Sequence, residues 1–596
     1  MTIKPVKIVT PVGMMGYGYE VDKLYKGIQL GASAIIIDAG STDSGPQKLA
    51  LGEGTCPHEA HVRDFGNVLD AVFHHKVKLI ISSAGGDGSN SHVDEFVGIV
   101  QDYCVEKGYS LKLAKIYASV PKSVVHKALK QGVITPCGAV PELTATEIDL
   151  AVEIVAQMGQ EPFMDVMAKV PDFDIIIAGR AYDPSPYAAY AIANGVTNWG
   201  TAYHMGKVME CGAQCSWPKS KEALATIWDD RFDILPLQST SKCSPQSLAA
   251  HSLYENPRTD LHAGPGGVLD LTTSSYQQTG ERSAGASGAG FHVSNPYTVK
   301  LEGAKVLGFR SIWLGSFRDP VLISQIDDFQ KRLKEFLHIK FANEKFDIAL
   351  KAYGKDGTMG PLEVDTSVGK EIFLLGEIQA ENQILATQIA NSGRVFCVHA
   401  PYEGQISTTG NYAMPVTPLE IPLGPVSCFN IYHLLPVEDP LALFPWFVMQ
   451  VGLESSTAIR NPSFGFDLIK PDPKVPATNC HNDIAAKKVI LQRGKTPVTS
   501  IAKDIRSKNA GPYEITFDII FNDLDAWNFA KESPKLTPEA LAPLWHANVK
   551  DVIACQFSEP ARAFKFTLPR PWKAGAFGER DMHCSQQHVP LLNLVL

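Results

Sequence analysis

The stretch AIIIDAGSTDSGP, from Ala34 to Pro46, decides the fold class of this chain. Its apolar run does not alternate with polar residues, which indicates a β-strand buried on both faces, as in a parallel sheet. The run ends in a turn of glycine, serine and aspartate. KLIISSAGGDGS (Lys78 to Ser89) and FDIIIAGRAYDP (Phe173 to Pro184) repeat this pattern. Because ligands bind at the carboxyl edge of open parallel sheets, the three turns predict a cleft for a small polar molecule.

Strand and helix patterns alternate over residues 1–200, which predicts an α/β fold that begins with a Rossmann-like parallel sheet domain. Within it, Thr144 to Gln157 is predicted as a helix, with Thr144 as its N-cap and Glu147 completing a capping box. Residues 201–470 have shorter strands and hairpin-like pairs, such as Tyr297 to Gly308 with Ser311 to Phe317, and predict an α+β domain. We expect a linker over residues 471–496, where Lys470 to Asn482 holds three prolines. Residues 497–596 then form a small α+β C-terminal domain.

The composition sets the class of protein. The chain has 596 residues, with 45% hydrophobic and 20% charged residues, as in soluble multidomain proteins. A net charge of −9 without a long basic run argues against nucleic acid or a membrane surface as partner. No apolar stretch reaches the roughly 18 residues of a membrane helix. The 11 cysteines lack framework spacing, so we expect reduced thiols and a cytoplasmic protein.

The first turn is rich in groups that can exchange protons. It holds Asp38, Ser41, Thr42 and Asp43. Two carboxylates and two hydroxyls so close together could act as acid and base, accept substrate hydroxyls or hold a divalent ion. The alternative is a turn stabilised by side chains that bond to their own backbone.

The second turn predicts an anion site. Ser83, Gly85 and Gly86 precede a helix, where free backbone N–H groups suit a carboxylate or phosphate. The alternative is a plain tight turn. The sequence lacks both a Walker A motif and a proper G-x-G-x-x-G fingerprint, so no nucleotide or redox cofactor is expected.

The third turn places a cation at a strand end. Arg180, which follows Gly179, can bind a carboxylate through two N–H groups. The alternative is a structural pair between Arg180 and Asp183.

Two further segments carry candidate catalytic or binding groups. In HMGKVMEC, His204, Lys207 and Cys211 share one helix face and form a plausible acid/base set, unless the helix is simply amphipathic. In PYTVKLEG, Lys300 lies on the polar face of a predicted strand, either in a site or paired in solvent with Glu302.

The C-terminal segment holds further polar groups. Arg506 to Pro512 clusters two cations before a turn. Arg570 and the run from Ser585 to His588 lie near the end of the chain. These groups could meet to cradle an anion, or they could form a surface loop or a contact between domains.

A metal site is not predicted. Cys56, His58, Glu59 and His61 form C-x-H-E-x-H, but one cysteine with His-x-x-His is not a usual closed zinc site. The sequence also lacks H-E-x-x-H and the G-x-S-x-G motif of α/β-hydrolases.

Ordered motifs resemble the acyclic terpene utilisation (AtuA-like) family. They are TPVGMMGYGYE, DAGSTDSGP, SSAGGDGS, VAQMGQEP, AGRAYDP, HMGKVMECGA, GPGGVLDLT and PYTVKLEGA. The resemblance covers roughly the first 450 residues. The last hundred, with RSKNAGPYEITFDIIF and SQQHVPLLNL, resemble a small domain often fused to or encoded beside such proteins. The resemblance adds Arg63 and Gln157 to the expected binding residues, and it implies a role in the breakdown of branched compounds through CoA thioesters.

These patterns lead us to expect a hydratase or related lyase, which adds to or eliminates at a C=C bond. Its substrate would be a small carboxylate or its acyl thioester, and no cofactor is required. We expect Ser83, Gly85, Gly86 and Arg180 to hold the anion, His204 or Lys207 to act as base, and Asp38 or Asp43 to act as acid. A homo-oligomer is expected. Two alternatives are a CoA- or nucleotide-dependent acyl transferase or ligase, and a non-catalytic binding or scaffold subunit.

Overall fold

The computed structural model describes residues 4–471 and 489–596, so most of the predicted linker lies outside the described residues. The strands are β1 (Val6–Thr10), β2 (Ala34–Asp38), β3 (Lys78–Ser82), β4 (Ser110–Ile116), β5 (Thr135–Pro136), β6 (Glu153–Gln157), β7 (Ile175–Ala178), β8 (Ala223–Ile227), β9 (Arg231–Pro236), β10 (Leu261–Gly264), β11 (Gly267–Asp270), β12 (Ser275–Gln278), β13 (Ala284–Ser287), β14 (Gly290–Val293), β15 (Thr298–Phe317), β16 (Phe346–Tyr353), β17 (Ile372–Ala380), β18 (Ile421–Pro436), β19 (Trp446–Gly452), β20 (Ala502–Ala510), β21 (Glu514–Phe521), β22 (Ala554–Ser558) and β23 (Ala563–Pro569).

The α-helices connect and cover these strands. They are α1 (Val21–Gln29), α2 (Gln47–Leu51), α3 (His58–His75), α4 (Asn90–Lys107), α5 (Lys122–Lys130), α6 (Ala145–Leu150), α7 (Glu161–Lys169), α8 (Ser185–Ala193), α9 (Trp199–Met209), α10 (Pro245–Ser252), α11 (Pro320–Ile323), α12 (Ile326–Lys340), α13 (Gln383–His399), α14 (Val498–Ile501), α15 (Leu524–Lys531), α16 (Pro538–Leu541) and α17 (Val589–Leu592). Within the described ranges, no helix has the length and apolar content needed to cross a bilayer.

A ten-stranded sheet forms the largest layer, in the order β12-β13-β9-β8-β1-β2-β3-β7-β4-β19. Its central strands β1, β2, β3, β7 and β4 pair in parallel, and antiparallel strands flank them on both sides. Strands β2, β3 and β7, which precede the three glycine-rich turns, are direct neighbours. The turns therefore leave the sheet at the same edge.

The central strands are buried on both faces, as the absence of alternation predicts. In β2, Ile36 packs into the hydrophobic cluster on one face of the sheet, together with Ile8 and Ile80. Ile35 and Ile37 pack into the cluster on the opposite face. Apolar side chains on both faces leave the strand ends as the accessible part of the sheet.

The sheet differs from the expected Rossmann-like arrangement in two respects. It is mixed, and its parallel part has the order β1-β2-β3-β7-β4 in place of the 3-2-1-4-5-6 order of dinucleotide-binding folds. It also takes β8, β9, β12, β13 and β19 from beyond residue 200, so the sheet itself extends across the predicted boundary.

The prediction of a helix from Thr144 to Gln157 is wrong for its second half. Helix α6 ends at Leu150, and Glu153–Gln157 forms β6, which pairs with β15 of the second sheet. Thr144 caps α6 as expected, since its hydroxyl oxygen accepts the Glu147 N–H at 3.2 Å. The side chain of Glu147 does not complete the capping box, because it accepts hydrogen bonds from Lys305 and Asn430 instead.

The second sheet has the order β16-β17-β15-β18-β5, with β6 also paired to β15. The two hairpin-like pieces expected at Tyr297 to Gly308 and at Ser311 to Phe317 belong to one continuous strand, β15. Register shifts at three points, between Gly303 and Ala304, between Val306 and Gly308, and between Arg310 and Ser311, bend it without breaking its pairing with β18. Helices α12 and α13 contribute Leu333 and Ile389 to the core under this sheet.

The last hundred residues form a four-stranded antiparallel sheet in the order β20-β21-β23-β22, covered by short helices. This small unit packs against both preceding layers. Gln246 donates to the Phe521 carbonyl at 2.9 Å, and Tyr513 donates to the Phe429 carbonyl at 2.8 Å.

Candidate functional site

The three glycine-rich turns contact one another at the carboxyl edge of the first sheet. The Ser41 N–H donates to the Gly86 carbonyl, and the Arg180 N–H donates to the Gly88 carbonyl, each at 3.1 Å. A Cβ atom on Gly88, whose φ is +66°, would lie only 2.0 Å from the Arg180 nitrogen. The glycine thus permits the close approach of the second and third turns.

A cavity of about 500 Å³ lies beside these turns, in the size range of small-molecule sites. Its wall comes from the first and third turns, the end of α9, the β10–β11 hairpin, β15, β18 and the C-terminal unit. Seven residues expected from the sequence line it: Ser41, Thr42, Asp43, Gln157, Arg180, Lys207 and Lys300. The first and third turns therefore share one hollow.

Three predicted residues of the second turn lie behind the cavity wall. Ser83, Gly85 and Gly86 are buried. The Ser83 hydroxyl oxygen accepts the Ala181 N–H at 3.2 Å, and the carbonyls of both glycines accept N–H groups of the first turn and the loop after α2. The turn holds its neighbours in place, and it does not line the cavity.

Asp38 and Gly179 also lie outside the cavity wall. The Asp38 carboxylate accepts the Ser82 hydroxyl at 3.0 Å and the Gly40 N–H at 3.2 Å. Burial, with Asp183 nearby, raises its pKa well above the usual range. Gly179 packs against Ala118, which leaves no room for a Cβ atom.

His204 and Arg63 are separated from the cavity. His204 is completely buried, with its Nε2 atom 3.0 Å from the Ser252 hydroxyl, and burial lowers its pKa to about 3. Helix α9 is buried on all sides, so His204 and Lys207, which are one turn apart, have different neighbours. Lys207 lines the cavity and His204 does not. Arg63 is exposed and pairs with Asp64, and these two residues hold the loop around Gly16.

Arg180 is held by two carboxylates. Its Nε atom donates to Glu302 at 2.9 Å and its Nη1 atom to Asp183 at 3.1 Å. Although burial alone would raise it, the charges of Arg180 and Lys300 lower the pKa of Glu302 to about 2. The structural pair with Asp183 is therefore present, and the shorter contact, with Glu302, is one that the sequence did not indicate.

Lys207 and Glu210 form a buried ion pair at the C-terminal end of α9. Both side chains line the cavity. Burial, together with the negative Asp183, raises the pKa of Glu210 to about 8, against the attraction of Lys207. A carboxyl group of this kind can exchange a proton near neutral pH.

Lys300 has a hydrogen free for a ligand. Its Nζ atom donates to the Tyr432 hydroxyl at 3.0 Å and lies 3.1 Å from Glu302. An ammonium group has three hydrogens, so one remains. Lys300 pairs with Gln157 in the register of β15 and β6, which explains why both residues reach the cavity.

The C-terminal unit completes the cavity wall. Lys508 forms ion pairs with Asp43 and, at 3.0 Å, with Glu255, and the Asn509 amide donates to Asp43 at 2.7 Å. The cation of Lys508 lowers the pKa of Asp43, although burial opposes it. The cationic segment around residue 508 thus makes a contact between domains, one of the alternatives that its sequence allowed.

Glu514 is the second contribution of the C-terminal unit. Its carboxylate accepts the Ala139 N–H at 3.2 Å and makes no ion pair with a described residue. A Cβ atom on Gly138, whose φ is +76°, would lie 2.2 Å from Glu514 Oε1, so a side chain there would strain the backbone and displace this carboxylate. Burial raises the pKa of Glu514 to about 7, against the charge of Lys300.

His262 is a further cavity residue that the sequence did not single out. It lies in β10, is buried, and neither ring nitrogen makes a well-formed hydrogen bond with a described residue. Burial and the charge of Lys207 lower its pKa to about 3, so the ring is neutral at pH 7. The only local signal was the neighbouring GPGG turn, which allows close backbone approach.

The carboxylates of the first turn are already engaged by protein groups. Asp43 already accepts from Lys508 and Asn509, and Asp38 faces Ser82. Over residues 4–471 and 489–596, no group of three or more histidine, cysteine, aspartate or glutamate side chains is arranged to hold a metal ion.

Comparison with known families bears on both parts of the chain. Residues 56–225 match the model of "Acyclic terpene utilisation family protein AtuA". Residues 498–595 match DUF4387, a domain of unknown function. We call these two matched stretches the AtuA region and the DUF4387 domain. The match confirms the resemblance seen in the motifs, over a shorter stretch than the motifs cover. No curated protein and no solved structure matches the chain.

The Lys508 contact predicts how firmly the DUF4387 domain is held at the first turn. Lys508→Met leaves two carboxylates, Asp43 and Glu255, facing each other without a cation. We expect the free energy of unfolding to fall by about 2 kcal/mol. This is below the usual cost of breaking a fully buried ion pair, because both carboxylates are partly exposed. Hydrogen exchange should accelerate in residues 41–44 and 507–511.

The exposed Lys550→Met is the matched control and should leave exchange unchanged. Adding Asp43→Asn to Lys508→Met should restore part of the loss, because it removes one of the two unpaired charges. Equal exchange in Lys508→Met and the native chain would show that this contact does not hold the domain.

Proposed function

We propose that the cavity is the active site of a metabolic enzyme that acts on a small carboxylate or its acyl thioester, most simply as a hydratase or related lyase. The observation that carries the proposal is the convergence of cations, carboxylates and a neutral histidine on one cavity of about 500 Å³, from residues 41–300 and from the DUF4387 domain. The name of the matched family adds a role in terpene utilisation. The free thiols of the described cysteines favour the cytoplasm.

The ligand carboxylate would be bound by cations at the cavity wall. Lys300 has one free hydrogen, as described above. Arg258 uses Nε and Nη2 on Asp260, at 2.9 and 3.0 Å, and keeps Nη1 free. Arg180 then acts mainly by fixing the third turn and the position of Glu302, since most of its N–H groups are occupied.

A carbonyl oxygen of the ligand would accept a hydrogen bond from His262. The neutral ring offers one N–H donor and does not compete for protons near pH 7. Charge develops on this oxygen when a proton leaves the adjacent carbon, and a fixed donor stabilises it. The missing partner of the buried His262 ring supports this assignment.

Glu210 and Glu514 are the two groups suited to proton transfer, because their pKa values are raised to about 8 and about 7. In the elimination direction, one group takes the proton from the carbon next to the carbonyl, and the electrons of that C–H bond form the double bond. The C–O bond at the next carbon breaks, and the other group protonates the leaving hydroxyl, which departs as water. Addition is the reverse.

The test is turnover of simple probes by the purified full-length chain. Fumarate, 2-methylfumarate and crotonyl-CoA are incubated in D₂O, and loss of the olefinic proton signal is followed by NMR. We expect turnover of at least one probe. Glu210→Gln should lower the rate roughly 100-fold, the scale of one acid–base group, with a smaller effect on probe binding.

Glu106→Gln, which changes an exposed carboxylate on α4, is the control and should keep the native rate. If no probe loses its olefinic signal, the lyase proposal fails. Thermal stabilisation by CoA esters together with ATP would then favour the acyl transferase or ligase.

A further inference from the structure

A second cavity lies entirely apart from the site above, mostly within the DUF4387 domain. It has a volume of about 190 Å³, which corresponds to roughly six water molecules at about 30 Å³ each. Arg570 and Gln587 line it, from the two sequence segments that could meet to cradle an anion. Trp545 and Trp572 supply aromatic walls. The site therefore combines a few polar groups with apolar surface.

Arg570 is a buried cation with unused donors. Its side chain is only 1% exposed, and Nη2 alone donates, to Glu579 at 2.6 Å and to the carbonyls of Asp581 and Met582 at 3.1 Å. Both Nε and Nη1 lack a hydrogen-bond partner among the described residues. Since a guanidinium carries five N–H groups, three of them are available. Leaving such donors unpaired in a protein interior is costly.

Gln587 offers an acceptor in the same cavity. Its Nε2 atom donates to the Asp581 carboxylate at 3.2 Å, and its Oε1 atom is buried without a partner. Turning the amide over would place Oε1 against that carboxylate, so the repulsion fixes the orientation. The acceptor oxygen thus stays free, as the donors of Arg570 do.

We propose that this cavity is a binding site for a small 2-hydroxycarboxylate. The carboxylate would accept hydrogen bonds from Nε or Nη1 of Arg570, and the hydroxyl would donate to Oε1 of Gln587. Glu579 already balances the charge of Arg570, so the added affinity comes from charge-assisted hydrogen bonds. The apolar carbon skeleton would lie against Trp545 and Trp572. The exposed His546 and Pro571 mark the way in from solvent.

The test uses glycolate as the probe and acetate, which lacks the hydroxyl, as its comparison. The full-length chain is labelled with 5-fluorotryptophan, and the resonances of Trp545 and Trp572 are assigned with Trp→Phe variants. We expect glycolate to move these two resonances and to bind more tightly than acetate. Gln587→Met should weaken glycolate about three- to tenfold and leave acetate unchanged, because it removes one neutral hydrogen bond.

Arg570→Lys should weaken both probes about tenfold or more, because hydrogen bonds to a charged group are stronger. Lys300→Met, in the larger cavity, should leave the two resonances and their response unchanged. Unmoved resonances at tens of millimolar glycolate would show that water alone fills the cavity, and the proposal would be wrong. Equal glycolate affinity in the native chain and Gln587→Met would also overturn it, and this variant decides the matter if Arg570→Lys does not fold.

Discussion

Arg180→Met is expected to lower the free energy of unfolding by about 3–5 kcal/mol, the cost of removing one partner from a buried ion pair. The guanidinium is only 5% exposed and contacts Glu302 and Asp183 at 2.9 and 3.1 Å. Its loss leaves Glu302 with Lys300 as its only cation among the described residues and removes the bond to Ser83. Urea denaturation of both proteins measures the difference.

Arg258→Met is the matched control, because Arg258 also pairs with a carboxylate and lines the same cavity. Its side chain is 45% exposed, so the loss should be below about 1 kcal/mol. Glu302→Gln, added to Arg180→Met, should restore part of the stability by removing the buried charge. A loss in Arg180→Met no larger than in Arg258→Met would mean that the Arg180 contacts add little to stability.

Between pH 5 and pH 8, the native chain is expected to lose about 2–3 kcal/mol of unfolding free energy relative to Glu514→Gln. The folded pKa of Glu514 is raised to about 7, above the unfolded value of about 4.3. The folded state therefore holds the proton more tightly, and its contribution is fully present below about pH 4.3. It is lost as the pH rises through about 7. Glutamine cannot ionise, so the variant should gain on the native chain between pH 5 and pH 8.

The measurement is the urea midpoint of unfolding for the native chain and for Glu514→Gln, at pH 5 and at pH 8. Glu559→Gln, at an exposed turn of the same domain, should show no pH-dependent difference. An equal difference between Glu514→Gln and the native chain at pH 5 and pH 8 would show that Glu514 titrates as an exposed carboxyl does.

The two variants also separate the roles of the two parts of the chain. Arg180 belongs to the AtuA region and supports the wall of the cavity, whereas Glu514 comes from the DUF4387 domain and presents a carboxyl group that titrates near neutral pH. Loss of stability is expected for the first, and a change in pH dependence for the second.

Local patterns in the sequence were sufficient for the central strands and for much of the cavity. Runs such as Ile35 to Ile37 are apolar throughout because both faces of the strand are covered, and their glycine-rich turns follow directly in the chain. Local patterns could single out three residues of the cavity wall, since each follows a strand or lies on the polar face of an alternating strand. They are Asp43, Arg180 and Lys300. His204 was misplaced relative to the cavity, since a helix buried on all sides has no face that periodicity can identify.

Only the tertiary structure decided which charges meet. Glu302 reaches Arg180 from 122 residues further along the chain, and Lys508 reaches Asp43 from 465 residues away. Such contacts depend on how β15 and the DUF4387 domain pack against the first sheet, and no local period records that packing. The sequence by itself therefore determined the central strands, the turns and the resemblance to a family. The burial that shifts the pKa values of Glu210 and Glu514 arises only when distant segments exclude water from one cavity.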